Sequence, residues 1–253
     1  MERLKRMAIL ACLGLSWAVS AEVVWLEPVY DYGLMKEGDG PREGRARFVN
    51  KGSAPVSVLE AKPTCGCTST RIPDDPVAPG DTAAIFFTYD PAGRPGRFNK
   101  HIKVLFDSGL RQSIGIRGNV LGTDESVAQF YPVECGPFRL SEDRLLMGNV
   151  TKGKTPNVFV NAYNLSNDTV PLRVRSGNKA LRVKVSATDV APGDVATIGL
   201  FFESAGWEKP GQFEIPVEFT SRPGSPAEEK HIIKVAGTVI LPDKPSGPFV
   251  KKK

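Results

Sequence analysis

The stretch VAPGDTAAIFFTYDPAGRPGRF, residues 77–98, returns as VAPGDVATIGLFFESAGWEKPGQF at residues 190–213. Each version opens on a Pro-Gly-Asp turn, runs through β-branched and aromatic residues, and closes on a second Pro-Gly turn. Proline presets φ for such a turn, and glycine supplies the positive φ that other residues resist. Working outward, DYGLMKEG at 31–38 is echoed by LMGNVTKG at 146–153, and RFVNKGSAPVSV at 47–58 by NAYNLSNDTVPLRV at 161–174. The block IGIRGNV at 114–120 matches KVAGTVI at 234–240. Four matched blocks in one order identify a tandem duplication.

Each copy reads as strands. VSVLEAK, AAIFFTYD, FNKHIKVLF and SIGIRGNV are short runs, several of them alternating polar and apolar residues, separated by turn clusters. Helical periodicity with caps is absent outside the N-terminus. The spacing predicts an all-β protein: two tandem immunoglobulin-like antiparallel β-sandwich domains, at 22–121 and 134–241, with a linker at 122–133 and a basic tail at 242–253.

The first copy resembles a known family. DYGLMKEG, FVNKGSAPVSVLEAKPTCGCT, VAPGDTA, YDPAGRPGRFNKHIKV and IRGNV together resemble bacterial domain-of-unknown-function family 1573, over residues 28–121. Its members are similar to the Ig-like domains of the major sperm protein and PapD-like superfamily. The resemblance implies an exported domain, mostly of Bacteroidetes type, and brings no established activity. The second copy keeps both turns but has lost the cysteine motif, and Trp207 and Glu208 stand where Arg94 would be.

MERLKRMAILACLGLSWAVSA, residues 1–21, has a basic start, an apolar run and small residues at its end, the pattern of a secretory signal peptide. The apolar run is too short for a membrane span. A lipoprotein cleavage before Cys12 would leave a still shorter one. The mature chain is therefore expected in the periplasm, at the cell surface or secreted, with no transmembrane segment. The net charge of +5 comes from the ends: residues 1–21 carry a net +2 and Lys251–Lys253 carry the other +3. The folded part is balanced, so it offers no electrostatic footprint for nucleic acid.

Cys65 and Cys67 stand in KPTCGCTSTRIP, residues 62–73. On a true strand their side chains share a face but lie farther apart than a disulfide allows, so a bridge requires a turn at Gly66. Closing so short a loop removes little chain entropy, about 1.6 kcal/mol. A small ring is also more easily reduced than a structural bridge. Thiol chemistry favours a nearby cation, and Lys62 and Arg71 are the closest in sequence. Two thiolates could instead hold Cu(I) or half of a zinc site. The remaining ligands are few: Cys135, and two histidines, His101 and His231, on different strands of their copies. With three cysteines in the mature chain, at least one is unpaired. Cys65 with Cys67, either with Cys135, or a metal site all remain open.

Arg94, Arg97, Asn99 and Lys100, in GRPGRFNK, form a candidate binding edge, weighed against a turn whose arginines brace the next strand. Asp74 and Asp75, adjacent on a proline-flanked loop, point apart. DTA at 81–83 and DTV at 168–170 resemble short O-glycosylation acceptors. No nucleophile elbow, HExxH motif or phosphate loop occurs, so no catalytic residue and no cofactor is assigned. The expectation is a non-catalytic binding or assembly module for a protein or cell-envelope component. The alternatives are a thiol-redox or copper- or zinc-binding protein using the CGC pair, and a PapD-like chaperone.

Overall fold

The structure is a computed structural model and describes residues 22–242. The expected signal peptide at residues 1–21, with Cys12, and the expected basic tail from residue 243 lie outside the described residues. The first domain contains β1 (Val23–Trp25), β2 (Val29–Lys36), β3 (Arg42–Asn50), β4 (Val58–Pro63), β5 (Thr68–Arg71), β6 (Thr82–Tyr89), β7 (Gly96–Phe106) and β8 (Arg111–Leu121). They form two facing sheets, β1-β3-β6-β5 and β2-β8-β7-β4. A short helix, α1 (Asp124–Ala128), follows. The second domain contains β9 (Val133–Cys135), β10 (Phe138–Leu140), β11 (Arg144–Thr151), β12 (Asn157–Asn164), β13 (Val170–Ser176), β14 (Leu181–Val185), β15 (Asp189–Val190), β16 (Val195–Phe202), β17 (Gly211–Ser221) and β18 (Glu229–Ile240). Its sheets are β14-β16-β12-β10-β9 and β11-β18-β17-β13-β15. The fold is all-β, two tandem Ig-like sandwiches.

Alternation in the sequence explains which way each strand faces. Along β3, Gly44, Ala46 and Phe48 turn inward while Arg45 and Arg47 face water, the period of two that a half-buried strand requires. Behind them Tyr89 stacks on Phe98 with centroids 4.0 Å apart, and in the second core Phe202 stacks on Phe213 at 4.4 Å.

The duplication extends to single hydrogen bonds. Asp81 N–H donates to Ala78 O and Asp194 N–H to Ala191 O, each at 3.0 Å, closing the two Pro-Gly-Asp turns over Gly80 (φ 86°) and Gly193 (φ 74°). Asn50, fully buried, donates from Nδ2 to Ala54 O (2.8 Å) and Val77 O (2.9 Å) and accepts from Gly52 N–H (2.9 Å). Asn164 repeats the arrangement with Asp168 O (2.7 Å), Val190 O (2.8 Å) and Ser166 N–H (2.9 Å).

Two features depart from the sequence reading. One parallel pair stands in each domain, β2 with β8 and β11 with β18, because the early strand crosses to the sheet that holds the last strand of its domain. The second is α1, where no capped helix was expected and a linker was. Thr123 caps it, accepting from Ser126 N–H at 3.2 Å, and Val127 is fully buried. With five residues the helix is too short to show a period, and its only signal is a threonine followed by two acidic residues.

Candidate functional site

Where β4 ends the chain crosses from one sheet to the other, and the crossing carries Cys65 and Cys67. The two are joined in a disulfide with Cα atoms 5.3 Å apart. The turn sits over Gly66, whose φ is not in the left-handed region; nothing lies within 4 Å of where a Cβ would stand. Cys65 is half-buried, Gly66 exposed and Cys67 buried. The hydroxyl of Thr68 lies 3.5 Å from Cys65 Sγ and 3.9 Å from Cys67 Sγ. Both ends of the turn are fastened. Thr64 N–H donates to His101 O (2.9 Å), His101 N–H to Thr64 Oγ1 (3.2 Å), and Asp90 N–H to Cys67 O (2.8 Å).

Cys135 is elsewhere, buried in the second core as a free thiol. Burial first, and then the charge of Glu229, push its pKa up to about 12. Among the described residues no three His, Cys, Asp or Glu side chains cluster closely enough to hold a metal ion. His101 lies on β7 and His231 on β18.

The backbone of β7 next to the disulfide is open on one side. Gly115 donates its N–H to Pro28 O, away from β7, and His101 stands opposite Gly115. That pair is therefore not hydrogen-bonded across β7 and β8, and the peptide groups of His101 face the β4 side, where Thr64 meets them. By alternation the N–H and C=O groups of Arg97 and Asn99 face the same way. No strand reaches them, because β4 ends at Pro63 opposite Ile102.

The same lane exists in the second copy but is blunted. Lys234 donates to Asp143 O, away from β17, and Pro216 stands opposite Lys234. Pro216 thus occupies the position of His101, with its missing N–H turned to the open side beyond the last β13 partner, Ser176 opposite Val217. Proline there is a known device against edge pairing. Aligning GRFNKH with GQFEIP would have revealed this difference in the sequence.

The four residues of the candidate edge do not act together. Arg94 hydrogen-bonds its own turn at Ala92 O, and the side chain of Lys100 turns to the other face of β7 from Arg97 and Asn99. Arg97 grips Asp194 of the second domain with two hydrogen bonds, 2.7 and 2.5 Å long. Asn119 adds Nδ2 bonds to Asp194 (2.8 Å) and Pro192 O (3.0 Å). Of the four, Asn99 is exposed on this lane with no side-chain hydrogen bond among the described residues. Its side chain borders an open groove of about 620 Å³ shared with Asp31, Arg97, Arg117 and Asn119. A groove of about 470 Å³ lies at the matching place in the second domain, so the hollow follows from the duplicated fold.

The interface between domains is fastened at further points that the sequence did not reveal. Glu37 accepts from Gly93 N–H (2.6 Å), Thr123 N–H (3.0 Å) and the Ser126 hydroxyl, tying the first domain to α1. Tyr163 of the second domain donates to Val120 O (3.0 Å) and accepts from Gly122 N–H (2.9 Å). It packs with Leu121 and Val127 in a small core between the domains. Arg139, buried, holds Asp124 and Glu134. The segment 122–133 is thus gripped from both sides.

Residues 23–120 match the model of a family described as Protein of unknown function (DUF1573). No curated protein matches the sequence. Among solved structures, the chain is similar to a protein of unknown function from Porphyromonas gingivalis W83, at 14% identity over 85% of this chain and 99% of that one, with a TM-score of 0.33. It is similar to the CupB2 chaperone of Pseudomonas aeruginosa at 13% identity, over 80% and 96% of the two chains, with a TM-score of 0.28. A PapD-like domain of human CEP192 is 11% identical over 43% of this chain and 89% of that one, with a TM-score of 0.37. No helix among the described residues is long and apolar enough to cross a membrane.

Proposed function

We propose that this protein, whose residues 23–120 form a domain of the DUF1573 family, is an exported, non-catalytic binding or assembly module that takes an extended segment of a partner polypeptide by strand addition. The observation that carries the reading is the open edge of β7. There the peptide groups of Arg97 and Asn99 face a lane that β4 leaves empty, while Pro216 blunts the same lane in the other copy. An added strand satisfies such groups with main-chain hydrogen bonds, which give affinity without requiring one particular sequence. The interdomain clasp supports this role, since it holds β7 rigid at Arg97.

A photo-crosslinking residue placed at Asn99 in the full chain, expressed in cells that export it, tests the proposal. A discrete polypeptide adduct is expected from Asn99 and none from the same residue placed at Glu214, beside Pro216. No adduct at Asn99, or equal adducts at both sites, would overturn it. Reproducible turnover of a hydrolase substrate by the purified chain would remove the non-catalytic part.

A further inference from the structure

We propose that the Cys65–Cys67 disulfide is a thiol–disulfide exchange site that oxidises a pair of thiols in a partner polypeptide. The disulfide stands at the head of the open lane. His101, the last lane-facing residue of β7, is hydrogen-bonded on both its N–H and its C=O to Thr64, the residue before Cys65. A strand added along Arg97 and Asn99 therefore runs up to the disulfide, two residues or about 7 Å from the Asn99 position. The identity of the substrate as a polypeptide rests on the strand-addition reading above; the chemistry of the sulfurs does not.

The two cysteines are unequally exposed. Cys65 is half-buried at the edge of the first core, beside a glycine that places no atom in the way, whereas Cys67 is buried within that core. Attack from solvent falls on Cys65, and Cys67 is the leaving group. A disulfide that spans one residue constrains the unfolded chain little, so it contributes little as a staple. Its opening also leaves the turn in place, because Thr64 and Cys67 are fastened by backbone bonds that do not involve sulfur.

The exchange balances as follows. A partner thiol gives its proton to water and its sulfur attacks Cys65 Sγ; a bond forms between them, the Cys65–Cys67 bond breaks, and the electron pair stays on Cys67 Sγ. The Thr68 hydroxyl, 3.9 Å from that sulfur, is placed to donate to the thiolate before water protonates it. The second partner thiol, deprotonated in turn, attacks the partner sulfur of the mixed disulfide. Cys65 leaves as a thiolate and is protonated. The partner has lost two electrons and gained a disulfide, and the protein holds a dithiol.

Two probes separate the chemistry from the docking. In buffers of reduced and oxidised glutathione, the mature wild-type chain should pass between disulfide and dithiol while folded, read as two added alkyl groups by mass spectrometry. Cys135, buried, should stay unmodified. A pair that stays oxidised in excess reduced glutathione overturns the proposal whatever binds the edge. A synthetic extended peptide with two cysteines is the second probe. One equivalent of oxidised protein should oxidise it, and Asn99→Pro should slow that reaction about tenfold relative to the same variant's own rate with glutathione. Equal peptide rates in wild type and Asn99→Pro would overturn the docking and leave the exchange chemistry standing.

Discussion

Asp194 closes the same turn in the second domain that Asp81 closes in the first, yet only Asp194 is gripped, by Arg97 and Asn119 across the domain boundary. Asp81 is exposed to solvent. The two aspartates therefore separate the value of the turn from the value of the clasp. Asp194→Ala should lower the unfolding free energy by about 1–3 kcal/mol, since it strips charge-assisted bonds from Asn119 and Arg97. Asp81→Ala should stay within about 0.5 kcal/mol of wild type. Urea denaturation of both variants checks this, and small-angle scattering should show a looser pair of domains only for Asp194→Ala.

Glu37 makes the domain boundary sensitive to acid. Burial opposes its charge, but the bonds from Ser126, Gly93 and Thr123 outweigh that and hold its carboxyl below its usual value of 4.5. A carboxylate with a depressed folded pKa stabilises above its unfolded value, and the contribution is lost as pH falls through the folded one. Glu37→Gln should therefore cost about 1–2 kcal/mol at neutral pH. The gap between variant and wild type should close as pH drops below the ordinary carboxylate range. Stability measured across that range reads the convergence; a constant gap would refute it.

Asn50 and Asn164 hold the same buried pattern of bonds in their two domains. Replacing either with alanine removes three bonds, but Val77 O keeps Val56 N–H and Asp168 O keeps the Ser166 hydroxyl, so the cost should be about 1–3 kcal/mol in all, chiefly from the buried groups left unpaired. Each substitution should destabilise its own domain alone. Proteolysis of the variants, with the fragments identified by mass, should show which sandwich opens first.

The glycines of the last strands test packing. A Cβ on Gly118 would lie 2.9 Å from the Phe98 ring and 3.1 Å from Gly33 O; on Gly237, 2.8 Å from Phe213 and 3.0 Å from Gly148 O. Neither carbonyl can retreat without disturbing the bulge made by Gly33 or Gly148. Gly118→Ala and Gly237→Ala should each cost about 1–3 kcal/mol in thermal unfolding.

Much of the fold was legible because it is written twice. The Pro-Gly-Asp turns, the strand alternation and the repeated blocks are local signals, and each copy corroborates the other. What escaped was non-local or brief. Glu37 meets Ser126 from 89 positions away and Arg97 meets Asp194 from 97, and neither contact leaves a periodic trace. The CGC turn was legible as chemistry but undecided as geometry, because glycine permits both an extended and a bent path. Arg97 was singled out for its charge, and its partner was hidden in the other copy's turn.

The clasp at Asp194 also sets a direction. In the first domain Arg97 faces Asn119 across the ladder and together they form a socket for a carboxylate; in the second, the same two places hold Gln212 and Thr238. Neither residue carries the charge or the forked donor that grips two oxygens at once. The plug was duplicated with its domain, but the second socket lost its grip, so this joint cannot propagate from the second unit as it does from the first.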